Sequence, residues 1–398
     1  MNETPVTTPV STLWLSCHVH YACRHAGACC RSGWPLPVES HVVPVIDAAI
    51  AANRLRTVDG SPVWLLASAD APPGVAGTFR LADDACVFHT SGRPGAPTVT
   101  GTRHCAVHAA AGHEALPASC QHFPRVCLVD GRGVRVSLSH HCPTAASLLF
   151  EHEGPVAIVE GPAAVPGTAV PEGLDARDEL PPRLTPAVLM DLEALTAWED
   201  LVVRTLAGPD APAGTPAEAL ALVRAYAERL VGWTPGDAPL VHVIDACRDS
   251  HGRPGAGVAF TSAERGSDGG PYRLERQRRA MRVVTQTCRA PWTWPAPPAI
   301  VDTLDRAFVA PHWPAAAALV RRYLATKAYG AWVTYQADAA RGLVRWLQLV
   351  HDVLRVEAAR ACGAANRPLD RDLLVTAVRQ TDLLLVHYAD GLAVARSL

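Results

Sequence analysis

Residues 126–138 read Val-Cys-Leu-Val-Asp-Gly-Arg-Gly-Val-Arg-Val-Ser-Leu, and this stretch is the clearest local signal in the chain. Two runs rich in β-branched and apolar residues, Val126–Val129 and Val134–Leu138, flank Asp130-Gly131-Arg132-Gly133. A glycine-containing turn between two such runs predicts a β-hairpin. Just beyond the return strand come Ser139-His140-His141-Cys142-Pro143. Pro143 suits the first turn of a helix running to Phe150, because a helix start leaves that N–H unpaired in any case.

Upstream of the hairpin, the pattern predicts a helix over 40–55 and short strands over 63–66 and 86–89, joined by many turns. Downstream, residues 161–182 are rich in Pro, Gly and Ala with little periodicity and read as a linker. Beyond it the apolar spacing becomes helical. Val188, Leu192, Leu195, Trp198, Leu201 and Val202 mark one face, and Leu220, Val223, Tyr226 and Leu230 recur every three or four residues. Long helices are expected over 313–329, 332–362 and 370–395, with breaks over 249–272, read as a mobile loop, and 290–298. The expected fold is therefore α+β. An irregular, metal-stapled N-terminal domain with short strands (1–160) is followed by the linker (161–182) and a mainly α-helical domain (183–398).

A chain of 398 residues, 49% of them hydrophobic, has enough apolar material for a full core without disulfides. Its formal net charge of −2 offers no overall basic field, so nucleic acid is not an expected partner. Lys327 is the only lysine, a bias from which no function is read. The first fifteen residues lack a basic, apolar signal segment and no apolar run approaches a bilayer span. The reading is a cytoplasmic protein with no membrane partner.

Nine of the twelve cysteines precede Pro143. In a reducing compartment such a density points to metal or redox chemistry rather than disulfides. Thiolate sulfur selects zinc, iron–sulfur clusters or Cu(I) over magnesium or calcium. The opening set is Cys17, Cys23, Cys29 and Cys30, followed by Cys86, Cys105, Cys120, Cys127 and Cys142. Cys127 falls on a strand and is expected to pack. Neighbouring side chains on an extended or turning backbone point apart, so Cys29 and Cys30 are expected to serve two metal atoms, or one metal and a packing role, rather than chelate one ion. His25, His104, His140 and His141 add candidate imidazole ligands. Each is more commonly a surface or hydrogen-bonded histidine. Trp34 is read as a shield for a cluster or as simple packing, Arg125 as a guanidinium fork that positions a carboxylate or phosphate or else a solvated arginine, and Arg379 with Asp382 as a surface i,i+3 ion pair or else a pair facing the metal site.

The pieces CRHAGACCRSGW (23–34), CVF (86–88), HCAVH (104–108), CQHFPR (120–125) and SLSHHCPTAASLL (137–149) together resemble the flagellin lysine-N-methylase family, within a broader zinc- or iron-chelating cysteine-cluster group. The resemblance covers residues 17–150 and weakens in the helical half, where it is limited to phrases such as AVRQTDLLLVHYAD (377–390). It implies a metal set of Cys23, Cys29, Cys30, Cys86, Cys105, Cys120 and Cys142. The family carries one more cysteine where this chain has residues 24–28, a place that Cys17 or His25 could fill. It also implies an iron–sulfur cluster, with [4Fe–4S] the leading form, or zinc, with S-adenosylmethionine as methyl donor and a protein as substrate. Neither a glycine-rich dinucleotide-type turn nor a C-x3-C-x2-C triplet is present in the sequence to hold that donor. The competing readings are a non-enzymatic module with a structural zinc or cluster, and a thiolate redox or metal-trafficking protein. The sequence does not specify an oligomeric state.

Overall fold

The computed structural model describes residues 11–24, 26–67, 71–90, 105–164, 172–209, 211–250, 271–289, 294 and 296–398. Its first part is strand-rich: β1 (Thr12–Leu15), a 3-10 turn (Cys29–Arg31), β2 (Pro37–Glu39), α1 (Val43–Ala51), β3 (Leu65–Ala67), β4 (Val75–Phe79), β5 (Leu81–Ala82) and β6 (Ala85–Cys86). Then come α2 (Ala106–Ala111), α3 (Ala118–His122), β7 (Arg125–Asp130), β8 (Gly133–Leu138), α4 (Pro143–Glu151), β9 (Ile158–Glu160) and β10 (Gly173–Asp175). After the small β11/β12 hairpin (Arg183–Thr185, Val188–Leu189), helices take over: α5 (Leu192–Ala207), α6 (Pro216–Val231), α7 (Leu240–Ser250) and α8 (Pro271–Thr287). The chain ends through α9 (Pro298–Leu304), a π turn (Asp305–Val309), α10 (Trp313–Ala328), α11 (Val333–Gln336), α12 (Arg341–Ala365), α13 (Arg371–Asp382), a π segment (Leu383–Tyr388) and α14 (Gly391–Ser397).

The expected hairpin forms the middle of a five-stranded sheet ordered β10-β7-β8-β1-β9. Cys127 lies opposite Val136 and Val129 opposite Val134 in the antiparallel β7/β8 pair, while β1 runs parallel to β8. Alternation along β8 decides what each face does. Val134, Val136 and Leu138 pack with Trp14, Cys127, Val129 and Cys142 on one side. Arg135 and Ser137 face the helical body: Arg135 Nε donates to Glu199 of α5 at 2.8 Å, and Ser137 Oγ donates to the carbonyl of Thr326 in α10 at 3.1 Å. β8 is thus buried on both faces, one apolar and one polar but paired.

β10 falls inside the stretch read as a linker, and its first residue shows why it is glycine. Gly173 has φ +121°, and a Cβ there would lie 2.1 Å from the carbonyl oxygen of Cys127. The largest apolar cluster also reaches across the expected boundary, taking Leu15, Cys17, Leu149 and Phe150 into the helical core around Trp198, Leu324 and Leu354.

Several boundaries differ from the periodic reading. α1 is shorter than 40–55, and the strand expected over 86–89 ends at Cys86. The expected helix over 332–362 is two, because the chain turns through 337–340 before α12 starts. The helix over 370–395 is interrupted by the π segment and by an extended Ala389. Most of the 249–272 loop and of 290–298 lies outside the described residues, as do His25, His104 and 165–171. Among the described residues, no helix is long and apolar enough to cross a membrane.

Candidate functional site

The 3-10 turn sets the geometry of the adjacent cysteines. Cys30 N–H donates to the Gly27 carbonyl at 3.2 Å, and Ser32 Oγ closes the turn by donating to the Ala28 carbonyl at 2.7 Å. This tight winding brings Cys29 Sγ and Cys30 Sγ to 3.9 Å of each other. The divergent arrangement expected for neighbouring side chains does not occur, because the backbone here is helical rather than extended.

Three other segments deliver cysteines to the same place. Cys105 precedes α2 and is tied to the preceding hairpin by a bridge with His89 and by Ala106 N–H donating to Phe88 O. Its thiol hydrogen-bonds that of Cys30. Cys86 ends β6, and Cys120 lies on α3. All five thiols border one apolar cluster with Leu36, Phe79 and Phe88.

The electrostatics of this group are uneven. Hydrogen bonds to Cys105 and Cys29, with burial added, hold the Cys30 thiol well above its ordinary value. The same hydrogen bonds lower Cys29 and bring Cys105 down to about 7 against the opposing effect of burial. Burial, followed by the charges of Cys29, Cys105 and Cys86, pushes Cys120 up. Among the described residues, no three Cys, His, Asp or Glu side chains form a ready-made set for a metal ion.

The remaining expected ligands lie elsewhere. Cys142 caps α4 and faces Tyr21 Oη at 3.9 Å, with Cys23 close enough to raise both groups electrostatically. Cys17 is buried among helical-core side chains, and burial pushes its thiol up to about 12. Cys127 packs in the sheet as expected of a strand residue. Arg125 is half-buried with its guanidinium 5.4 Å from the centre of the Tyr21 ring, rather than solvated. It helps line a cleft of about 40 Å³ together with Cys29, Trp34, Phe123, Glu172 and His387. Trp34 stacks on His387 at 4.4 Å between ring centres.

Behind that cleft is a buried charge network that the sequence reading did not anticipate. Asp382 was expected on the surface, paired with Arg379. Instead its carboxylate is fully buried and accepts from Lys327 Nζ at 2.6 Å, from Tyr323 Oη, and from the backbone N–H of His140. Tyr323 and Lys327 are four residues apart on α10 and so present one face to Asp382. Arg379 turns away and donates to the His141 carbonyl at 3.1 Å. Burial alone would raise the Asp382 carboxyl, but the Lys327 ammonium and the His140 hydrogen bond outweigh it and hold it far below the ordinary range.

His140 Nδ1 lies 3.1 Å from Asp382 Oδ2, and its Nε2 lies 3.1 Å from His18 Nε2. Burial, and then Lys327, lower His140 below the ordinary imidazole range; burial, and then His140, do the same for His18. With Asp382 ionised, its carboxylate accepts a hydrogen bond from His140 Nδ1–H, which leaves His140 Nε2 to accept from His18 Nε2–H. Next in the chain, the π segment matters. Residues five apart on an α-helix point about 140° away from each other, whereas a π turn stacks them. Asp382 and His387 can both face the 139–141 segment, and His387 Nε2 meets Ser139 Oγ at 2.7 Å. The sequence signal available was the chain's one lysine, set in the run Tyr323-Leu324-Ala325-Thr326-Lys327.

No protein-family model, curated protein or solved structure matches this chain.

Proposed function

We propose that Cys29, Cys30, Cys86, Cys105 and Cys120 form a thiolate centre for zinc or an iron–sulfur cluster. The chain uses it to modify a protein substrate, as the resemblance to flagellin lysine-N-methylases implies, with S-adenosylmethionine as the donor. The observation that carries the metal reading is the meeting of five thiols from four separate segments. Two thiolates held at 2.3 Å on a tetrahedral ion stand ~3.8 Å apart, close to the 3.9 Å between Cys29 and Cys30. Binding draws the other thiols inward and displaces the Cys30 proton, since thiolate is the ligand form. The aromatic cleft beside Cys29 is the adjoining space for substrate.

A structural metal is the second reading. It is favoured by the short strands and turns that surround the thiols, which contain few long elements of their own. The test is metal and acid-labile sulfide analysis, with a visible spectrum, of anaerobically purified protein beside a Cys29→Ser/Cys30→Ser variant. Iron with sulfide, lost in the variant, supports a cluster and leads to a methyl-transfer assay. Zinc alone favours the structural reading, and absence of metal overturns both.

A further inference from the structure

The helical body carries a second site that involves no cysteine. α6, α8, α12 and α14 enclose a cleft of about 230 Å³ whose walls include Arg224, Arg276, Arg279 and Arg345. It shares Arg224 and Arg345 with an adjoining hollow of about 250 Å³ that also holds Arg341 and Glu228. Five guanidiniums thus face two side-chain carboxylates, with Leu398 also at the cleft, in a protein whose formal net charge is −2.

Both carboxylates are already engaged. Asp352 receives Arg276 Nε at 3.1 Å on each oxygen and Gln348 Nε2 at 3.0 Å. Glu228 is gripped through two nitrogens by Arg341. Arg224, Arg279 and Arg345 form no ion pair among the described residues, and all three are exposed at the cleft. Like charges brought together on three helices repel one another, and Glu228, whose oxygens are held by Arg341, offsets Arg224 and Arg345 only through space. The floor is different in character: Ala280, Val283, Val344 and Leu349 give it an apolar surface.

We propose that this cleft binds a small polyphosphate or its organic ester. Phosphate oxygens would lie on the Arg224, Arg279 and Arg345 guanidiniums, and the organic part on the apolar floor. Guanidinium forks suit phosphate through paired N–H donors. A single carboxylate would leave most of the positive charge uncompensated. The cleft is too small for a folded partner, and its charges come from rigid helices rather than from a mobile tail.

The test is titration calorimetry of the full chain with ATP, inorganic tripolyphosphate and a glutamate-rich peptide. It is repeated on Arg279→Glu, Arg345→Glu and Arg278→Glu, with circular dichroism to check folding. Arg278 is an exposed arginine of the same helix that does not line the cleft. One ATP or tripolyphosphate per chain is expected, weakened about tenfold or more by either of the first two reversals and unchanged by Arg278→Glu. Tighter binding of ATP identifies an organic ester as the ligand source, and equal binding identifies inorganic polyphosphate. Absence of stoichiometric binding, equal weakening by Arg278→Glu, or equally tight binding of the peptide would overturn the assignment.

Discussion

The thiol group and the Asp382 network solve opposite problems. The thiols sit on a 3-10 turn, a two-residue strand, a helix cap and a five-residue helix, so short local elements bring them together. Asp382, Lys327, Tyr323 and His140 are held by long helices and the central strand, and every oxygen of the aspartate is hydrogen-bonded. The first arrangement keeps reactive groups adjustable. The second fixes charge so firmly that removing one partner should endanger the fold.

The largest test of that contrast is Lys327→Met. Leaving Asp382 buried without its ammonium should cost about 3–5 kcal/mol, read from urea unfolding. A loss under about 1 kcal/mol would show that the network is not a fixed point.

Glu357 of α12 gives the next effect. It is buried, and burial outweighs its Arg360 partner to raise its carboxyl from 4.5 to about 7. The folded state therefore holds a proton that the unfolded chain releases. This contribution to stability is complete below about pH 4.5 and is lost as pH rises through 7. Glu357→Gln should flatten that decline and leave the variant up to about 3 kcal/mol more stable than the parent at pH 8. Parallel unfolding curves from pH 5 to 8 check this.

Within the cysteines themselves, Cys127→Ser should destabilise by about 1–3 kcal/mol, since it places a hydroxyl in an apolar strand face, while leaving metal content unchanged. Cys29→Ser should reverse that pattern, with a change in metal-free stability of about 0.5 kcal/mol or less and a loss of bound metal. Metal analysis and unfolding of the same two preparations would distinguish a thiol that packs from one that ligates.

The hairpin was legible because its turn and its alternation agree, and α4 because Pro143 marks its start. The cysteine-rich half could be recognised by residue type. Which five thiols meet depends on a 3-10 winding at Cys29–Arg31 and on pairing between His89 and Cys105, contacts that no local pattern encodes. Asp382 misled the reading for a different reason. An i,i+3 pair with Arg379 is the usual surface arrangement, and only the hydrogen bonds from Tyr323 and Lys327 of α10 show that the aspartate has better partners. The two sides of β8 show the same limit: alternation identified the strand, but not that Arg135 would be buried against Glu199.

Lys327 carries the only side-chain amine in the chain, and it is buried against Asp382. An amine-directed acylating reagent would therefore find its one ε-amino target only when α10 and α13 part. Labelling at that single atom, followed by mass spectrometry, would time the opening of the helical body with no engineered probe.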